Sequence, residues 1–225
     1  MNRIIFLTLA LLVMSKVSYA QGILKGKVVF EGTPPPVEKV EVKSDTVTCG
    51  TVQEVHKIAL GAGNGVQDAV VQVLGVSGAV QPSEGNLDQV NCIFVPHVQV
   101  LPVASKLKIS SSDPVLHNSH GFNEDGSTAF NIAVPVIGME MPTIIKQTGV
   151  IKLRCDAGHT WMSAYVVGVD HPYYAKTDAD GNFTIENVPP GEYEIEVWQE
   201  WLGKHRERVT VKEGEEPVVI TLKEA

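Results

Sequence analysis

Basic residues are scarce in this sequence: 18 Lys and Arg stand against 26 Asp and Glu, for a formal net charge of −8. That sign disfavours nucleic acid and anionic membrane surfaces as partners. Sustained 3.6-residue apolar periodicity with caps at both ends is also missing, so the chain reads as mostly β. Long apolar runs are absent, and the one from Ile4 to Met14 is too short for a comfortable membrane span. It follows the basic Asn2-Arg3 and precedes Ser18-Tyr19-Ala20, the pattern of an export signal over residues 1–20 cleaved after Ala20. No cysteine follows it that could carry a lipid. Losing Arg3 and Lys16 with the signal takes the formal charge from −8 to −10, and a periplasmic or secreted protein is expected. Cysteine is sparse, with three residues in all. Gly61-Ala62-Gly63-Asn64-Gly65 opens no convincing helix and reads as a flexible turn, not a phosphate loop. Asp178-x-Asp180-Gly181-Asn182 places its Gly too early for a calcium loop and reads as a hairpin turn.

What is present is a concentration of soft ligands in Cys155-Asp156-Ala157-Gly158-His159-Thr160-Trp161-Met162. Thiolate, imidazole and thioether within eight residues select copper over magnesium or calcium. A trigonal Cys and two His with a long axial Met make a one-electron copper site. The second imidazole is available at His117, in Asp113-Pro114-Val115-Leu116-His117-Asn118. The preceding run Val150 to Cys155 alternates apolar and polar, which puts Ile151, Leu153 and the Cys155 sulfur on one buried strand face. Ala164 to Val169 reads as the next strand, so the loop joins two strands of one sheet.

Each of these residues has a plainer reading alone: a buried Cys as a small hydrophobe, Met as core filler, His as a hydrogen-bonding surface group. Their combination in one loop, with a strand-borne His upstream, outweighs those readings. His120 competes with His117, but three residues along a strand it faces the other side. His97 lies among Val95, Pro96 and Val98 and points away from the core. Met139 and Met141 read as apolar strand residues.

The ligand loop resembles that of the cupredoxins, whose single copper is held by an upstream His and a C-terminal Cys…His…Met loop. Phe94 to Val100, Leu107 to Ser110, Ser112-Asp113 and His117-Asn118 look like the strands before the first ligand. The resemblance implies a Greek-key β-barrel or sandwich, one copper on His117, Cys155, His159 and Met162, Asn118 bracing the loop, and Trp161 tuning hydration at the sulfur and the metal. The Cys-x3-His-x2-Met spacing is also similar to half of the binuclear copper loop of cytochrome oxidase. Ile151 stands where that centre's other cysteine would lie, so one copper is expected. The family further implies a surface-exposed edge on the second His, placing electron entry or exit at His159 with Trp161 and Pro114. With Cys155 a ligand, Cys49 and Cys92 remain either as a disulfide or as two buried free thiols.

The C-terminal string Thr177 to Tyr193, with its Asp180-Gly181-Asn182 and Pro189-Pro190-Gly191 turns, resembles the carboxypeptidase regulatory-like sandwich, a transthyretin-type β fold. That family's opening strands look like Lys25 to Val29 and Asp68 to Val73, far upstream. The expected fold is therefore all-β: a sandwich made of residues 21–85 and 170–225, with a copper domain at 86–169 inserted in it or packed against it. The first function expected is an exported, non-enzymatic carrier of single electrons between redox proteins such as cytochromes or oxidoreductases. A copper chaperone or storage protein is the second, and a structural or carbohydrate-binding sandwich the third.

Overall fold

A computed structural model of the chain describes residues 22–212, 214 and 216–224; the expected export signal lies outside them. In chain order the strands are β1 Gly22–Phe30, β2 Glu38–Glu41, β3 Val52–Val55, β4 Val70–Val73, β5 Glu84–Val90, β6 Ile93–Val95, β7 Val98–Pro102, β8 Lys106–Ile109 and β9 His117–Phe122. They continue with β10 Thr128–Val134, β11 Met141–Ile144, β12 Gly149–Arg154, β13 Ser163–Val169, β14 Tyr174–Lys176, β15 Asn182–Val188, β16 Gly191–Gln199, β17 Gly203–Val211 and β18 Val218–Leu222. Helix is confined, among the described residues, to one turn, α1 at Thr46–Cys49, and a 3₁₀ turn at Ala62–Asn64. The protein is all-β.

Strands β5 to β13 form two sheets, ordered β10-β9-β12-β13-β7 and β11-β8-β5-β6. Alternation along them sends Leu87, Phe94, Leu107, Ile109, Leu153 and Val166 into one shared apolar core. The remaining long strands form a second pair of sheets, β15-β1-β18 and β14-β4-β16-β17. Leu24, Val28, Ile185, Ile195 and Leu222 fill the core between these. In β1 the buried positions are Gly22, Leu24, Gly26, Val28 and Phe30, the period of two that a half-buried strand requires.

A third apolar cluster joins the two halves. Val98, Tyr165, Val167 and Val169 of the first meet Val70 and Trp198 of the second, with the Tyr165 and Trp198 rings 5.1 Å apart. Polar contacts flank it: His97 Nε2 lies 2.6 Å from Glu200 Oε1, and Lys204 Nζ 3.0 Å from Glu124. His97 thus faces away from the first core, as alternation implied, and stitches the halves together.

Three local expectations change. Gly61–Gly65 is a packed turn: a Cβ on Gly65 would lie 1.8 Å from the Asp180 carbonyl oxygen, and one on Gly61 1.9 Å from that of Ala179. Only glycine allows the two loops to approach so closely. Ala62 N–H donates to Asp180 Oδ1 at 2.9 Å, which ties the turn to the Asp178–Asn182 hairpin. Met141 opens β11, a strand residue as expected, whereas Met139 lies outside the strands, and both are more than a third exposed. The hairpin β2–β3 belongs by packing to the first core, where Val42 and Cys49 are buried and Val40 and Val55 rest against it.

Cys49 and Cys92 form a disulfide that closes a sequence separation of 43 residues. On the chain-entropy model a loop of that length stabilises the folded chain by about 4 kcal/mol. Urea denaturation of a Cys49→Ala/Cys92→Ala variant is expected to show a loss of that order, and an unchanged midpoint would contradict it. The His97–Glu200 pair makes a pH-dependent contribution. Burial works against the charged imidazole, but the Glu200 carboxylate outweighs it and the His97 pKa lies above the ordinary 6.5. The raised value means that the pair's stabilisation is complete below pH 6.5 and is lost as pH rises through the folded-state pKa. Thermal melts from pH 5 to 9 are expected to show this fall in the native chain and a flatter profile in Glu200→Gln.

Candidate metal centre

The loop from Cys155 to Met162 links β12 to β13, which pair antiparallel from Gly149↔Gly168 to Arg154↔Ser163. Ile151 and Leu153 point inward from β12, and Cys155, the next inward position, is 4% exposed. On the other side of β12 runs β9, whose first residue is His117. His117 and His159 are both fully buried. The Cys155 Sγ lies 3.9 Å from His117 Nδ1 and 3.6 Å from His159 Nδ1. All three atoms fall within 4.8 Å of one another.

The other nitrogen of each ring is held by a carboxylate. His117 Nε2 is 2.9 Å from Asp113 Oδ2, and His159 Nε2 is 3.0 Å from Asp45 Oδ2. A carboxylate accepts, so each Nε2 carries the proton and each Nδ1 turns a lone pair toward the sulfur. Burial pushes the His117 pKa below the ordinary histidine value, opposed by Asp113 and assisted by His159, which favours the neutral ring a metal needs. An ion about 2.3 Å from a thiolate and about 2.0 Å from an imidazole nitrogen separates those donors by about 3.7 Å at trigonal angles. The two sulfur–nitrogen distances bracket that value, and the donor set of one thiolate and two imidazoles suits copper.

Asp113 does more than orient His117. Its Oδ1 accepts from Asn91 N–H at 2.7 Å and its Oδ2 from Cys92 N–H at 2.8 Å. Trp161 Nε1 donates to the Cys92 carbonyl at 2.8 Å, and its ring centroid is 5.3 Å from that of His159. Asp45 stands at the start of α1 with a left-handed φ of 56° and makes no cap with its side chain, which is given over to His159. Cys49 ends the same helical turn. Each half-cystine is therefore adjacent to the brace of one imidazole. The sulfurs of Cys49 and Cys92 also lie within 4.8 Å of histidine nitrogens, but their bond to each other occupies them.

Of the other residues singled out by sequence, Asn118 Oδ1 accepts from Asp156 N–H at 2.5 Å and its Nδ2 donates to Asn131 at 2.8 Å. Met162 is buried in the first core with Cys155, its N–H donating to the His159 carbonyl at 3.0 Å. His120 turns outward, with Nδ1 2.6 Å from Asp156 Oδ2 and Nε2 3.0 Å from Thr128 Oγ1. His97 is held by Glu200 and Ser163.

The expected exposed edge on His159 is absent. The segment Val42–Gly50, carrying Asp45 and pinned through Cys49, covers it, and Trp161 is only 8% exposed. Pro114 alone of that trio is at the surface. Sequence reasoning missed Asp45 and Asp113. Asp113 had a weak signal, four residues before His117. Asp45 had none, being 114 positions from the ring that it holds.

Residues 155–219 match the family model described as polysaccharide lyase family 4, domain II, under a third of the chain. That description differs from the carboxypeptidase regulatory-like resemblance read at Thr177–Tyr193. No curated protein matches the chain. Among solved structures, a purple cupredoxin from Nitrosopumilus maritimus is 19% identical over 38% of this chain and 99% of its own, with a TM-score of 0.33. A copper-containing nitrite reductase from Thermus scotoductus SA-01 is 17% identical over 44% of this chain and 25% of its own, TM-score 0.33. An amicyanin variant in its Cu(I) form is 14% identical over 44% and 98%, TM-score 0.34. Likenesses of this size carry no argument about function, which rests on the donor set itself.

Proposed function

We propose that one copper ion would be held by His117 Nδ1, Cys155 Sγ and His159 Nδ1, with Met162 as a fourth, weaker ligand, and that the chain passes single electrons between redox proteins. The observation that carries this reading is the convergence of three buried donor atoms whose outward nitrogens are already committed to carboxylates. The ion would supply one-electron exchange between its cupric and cuprous states. The chain's own part is to keep the donors still: β9, β12 and β13 fix the backbone, and Asp45 and Asp113 fix the rings. Thiolate and thioether favour the reduced ion and imidazole accepts both, so a rigid set lets the charge change with little movement. A set of four protein ligands would suit a carrier better than an enzyme, whose catalytic metal keeps a ligand position for water or substrate.

The same reading places the copper-binding unit at residues 86–169, with the β2–β3 hairpin packed on it, within a sandwich built from the rest of 21–85 and from 170–225, in an exported chain whose signal ends at Ala20. Its partners would be cytochromes or oxidoreductases. Burial of His159 under Val42–Gly50 favours a second reading, a chaperone or store that holds Cu(I) without cycling. The two differ optically. A carrier oxidised with ferricyanide is expected to show intense thiolate-to-copper absorption in the visible and reversible voltammetry. A colourless protein that takes only Cu(I) would sink the carrier reading in favour of storage.

Variants test the ligands and their braces. Cys155→Ser is expected to abolish the colour, whereas Met162→Gln keeps copper and shifts the spectrum and potential. Bleaching by His120→Ala but not by His117→Ala would overturn the choice of upstream ligand. Asp113→Asn is expected to weaken copper binding by about 10- to 100-fold, the cost typical of losing a carboxylate behind a ligating imidazole. Competition with a chelator of known affinity measures it.

A further inference from the structure

Beside the candidate centre, a groove of about 640 Å³ runs between the hairpin β2–β3, the ladder of β12 and β13, and the turn joining β16 to β17. Its volume is that of a small-molecule site, and it lies between the two halves of the protein, where such sites commonly occur. Lys152 pairs across the ladder with Tyr165 and Arg154 with Ser163, so these side chains share the face opposite Ile151 and Leu153. Lys57 enters from the end of the β2–β3 hairpin. Trp161, Tyr165 and Trp201 contribute rings to the lining.

The charges are unusual for so acidic a chain. Among the described residues Lys57 and Lys152 have no acidic partner, while Arg154 is held by Asp156 at 2.8 Å and lies over the Phe122 ring at 4.3 Å. Two carboxylates border the groove. Glu200 is engaged by His97, which leaves Glu38 as the one without a partner. Two unpaired ammonium groups against one unpaired carboxylate leave a single positive charge to be met. A neighbouring cavity of about 440 Å³ shares Trp161 and Glu200 with the groove but has no Lys or Arg in its lining, so an anion is directed to the groove.

The geometry points to the groove over Lys57, Lys152, Trp161, Tyr165 and Trp201 as a binding site for a small aromatic monocarboxylate. The carboxylate meets the two ammonium groups in charge-assisted hydrogen bonds, and the ring packs among the aromatic side chains. A cation is disfavoured by the lysines, and a large polyanion by the two walls and the acidic rest of the surface. Met162, a proposed copper ligand, also lines the groove, but none of the groove's charged residues belongs to the donor set.

Isothermal titration of the full chain with 4-hydroxybenzoate, with and without bound copper, tests it. Saturable one-to-one binding is expected in both states, at least about tenfold tighter than for the neutral 4-hydroxybenzamide. Lys57→Glu/Lys152→Glu, with circular dichroism to confirm the fold, is expected to weaken binding at least about tenfold. Lys106→Glu, on a surface lysine away from the groove, is expected to leave it unchanged. Absence of binding up to about 10 mM, equal binding of the amide, or indifference to the double reversal would overturn the proposal. Binding seen only with copper present would mean ligation of the metal and would overturn it equally.

Discussion

A buried imidazole must satisfy both ring nitrogens, and the way this protein meets that demand organises its centre. His117 and His159 give their Nε2 protons to Asp113 and Asp45, and the lone pairs left at Nδ1 converge on one sulfur. An unsatisfied ring nitrogen at that depth would cost about 1–3 kcal/mol, so the carboxylates stabilise the arrangement as well as aiming it. Asp113 is itself fixed by the backbone of Asn91 and Cys92. Asp45 is fixed by a helical turn that ends in Cys49. The disulfide therefore joins the supports of both rings into one frame, and Trp161 closes that frame through the Cys92 carbonyl.

The same frame changes how the centre communicates with its surroundings. The segment Val42–Gly50 lies over His159, so the ring has no edge in solvent. What borders the centre instead is the groove reached by Met162 and Trp161, between the halves of the molecule. The third apolar cluster and the His97–Glu200 pair hold those halves together at the foot of β13, the strand that follows the ligand loop. Strand β13 thus carries structural coupling between the sandwich and the loop, and the sandwich takes part in shaping the surroundings of the candidate centre.

Much of this was legible in the chain itself, for physical reasons that can be named. Alternation from Val150 to Leu153 set the inward face that Cys155 continues, and the same period put His117 and His120 on opposite sides of β9. The sandwich strands Lys25–Val29 and Phe183–Ile185 stood out by their β-branched and aromatic residues and came to pair in one sheet. Long-range polar pairing was not legible. Nothing near Asp45 signals a partner 114 residues away, and a short hairpin such as β2–β3 can pack on either half without changing its pattern. Gly61 and Gly65 looked like freedom of the chain, whereas they mark a close approach of two backbones. His97 was placed outside the core correctly, but its Glu200 partner depended on how the halves meet.

The account rests on one thiolate and two imidazoles sharing one ion. X-ray absorption at the copper edge of protein carrying one equivalent of copper tests that directly. The account predicts a coordination shell of one close sulfur and two imidazole nitrogens at a stoichiometry of one copper per chain. A shell of nitrogen and oxygen without sulfur, or two coppers per chain, would contradict it.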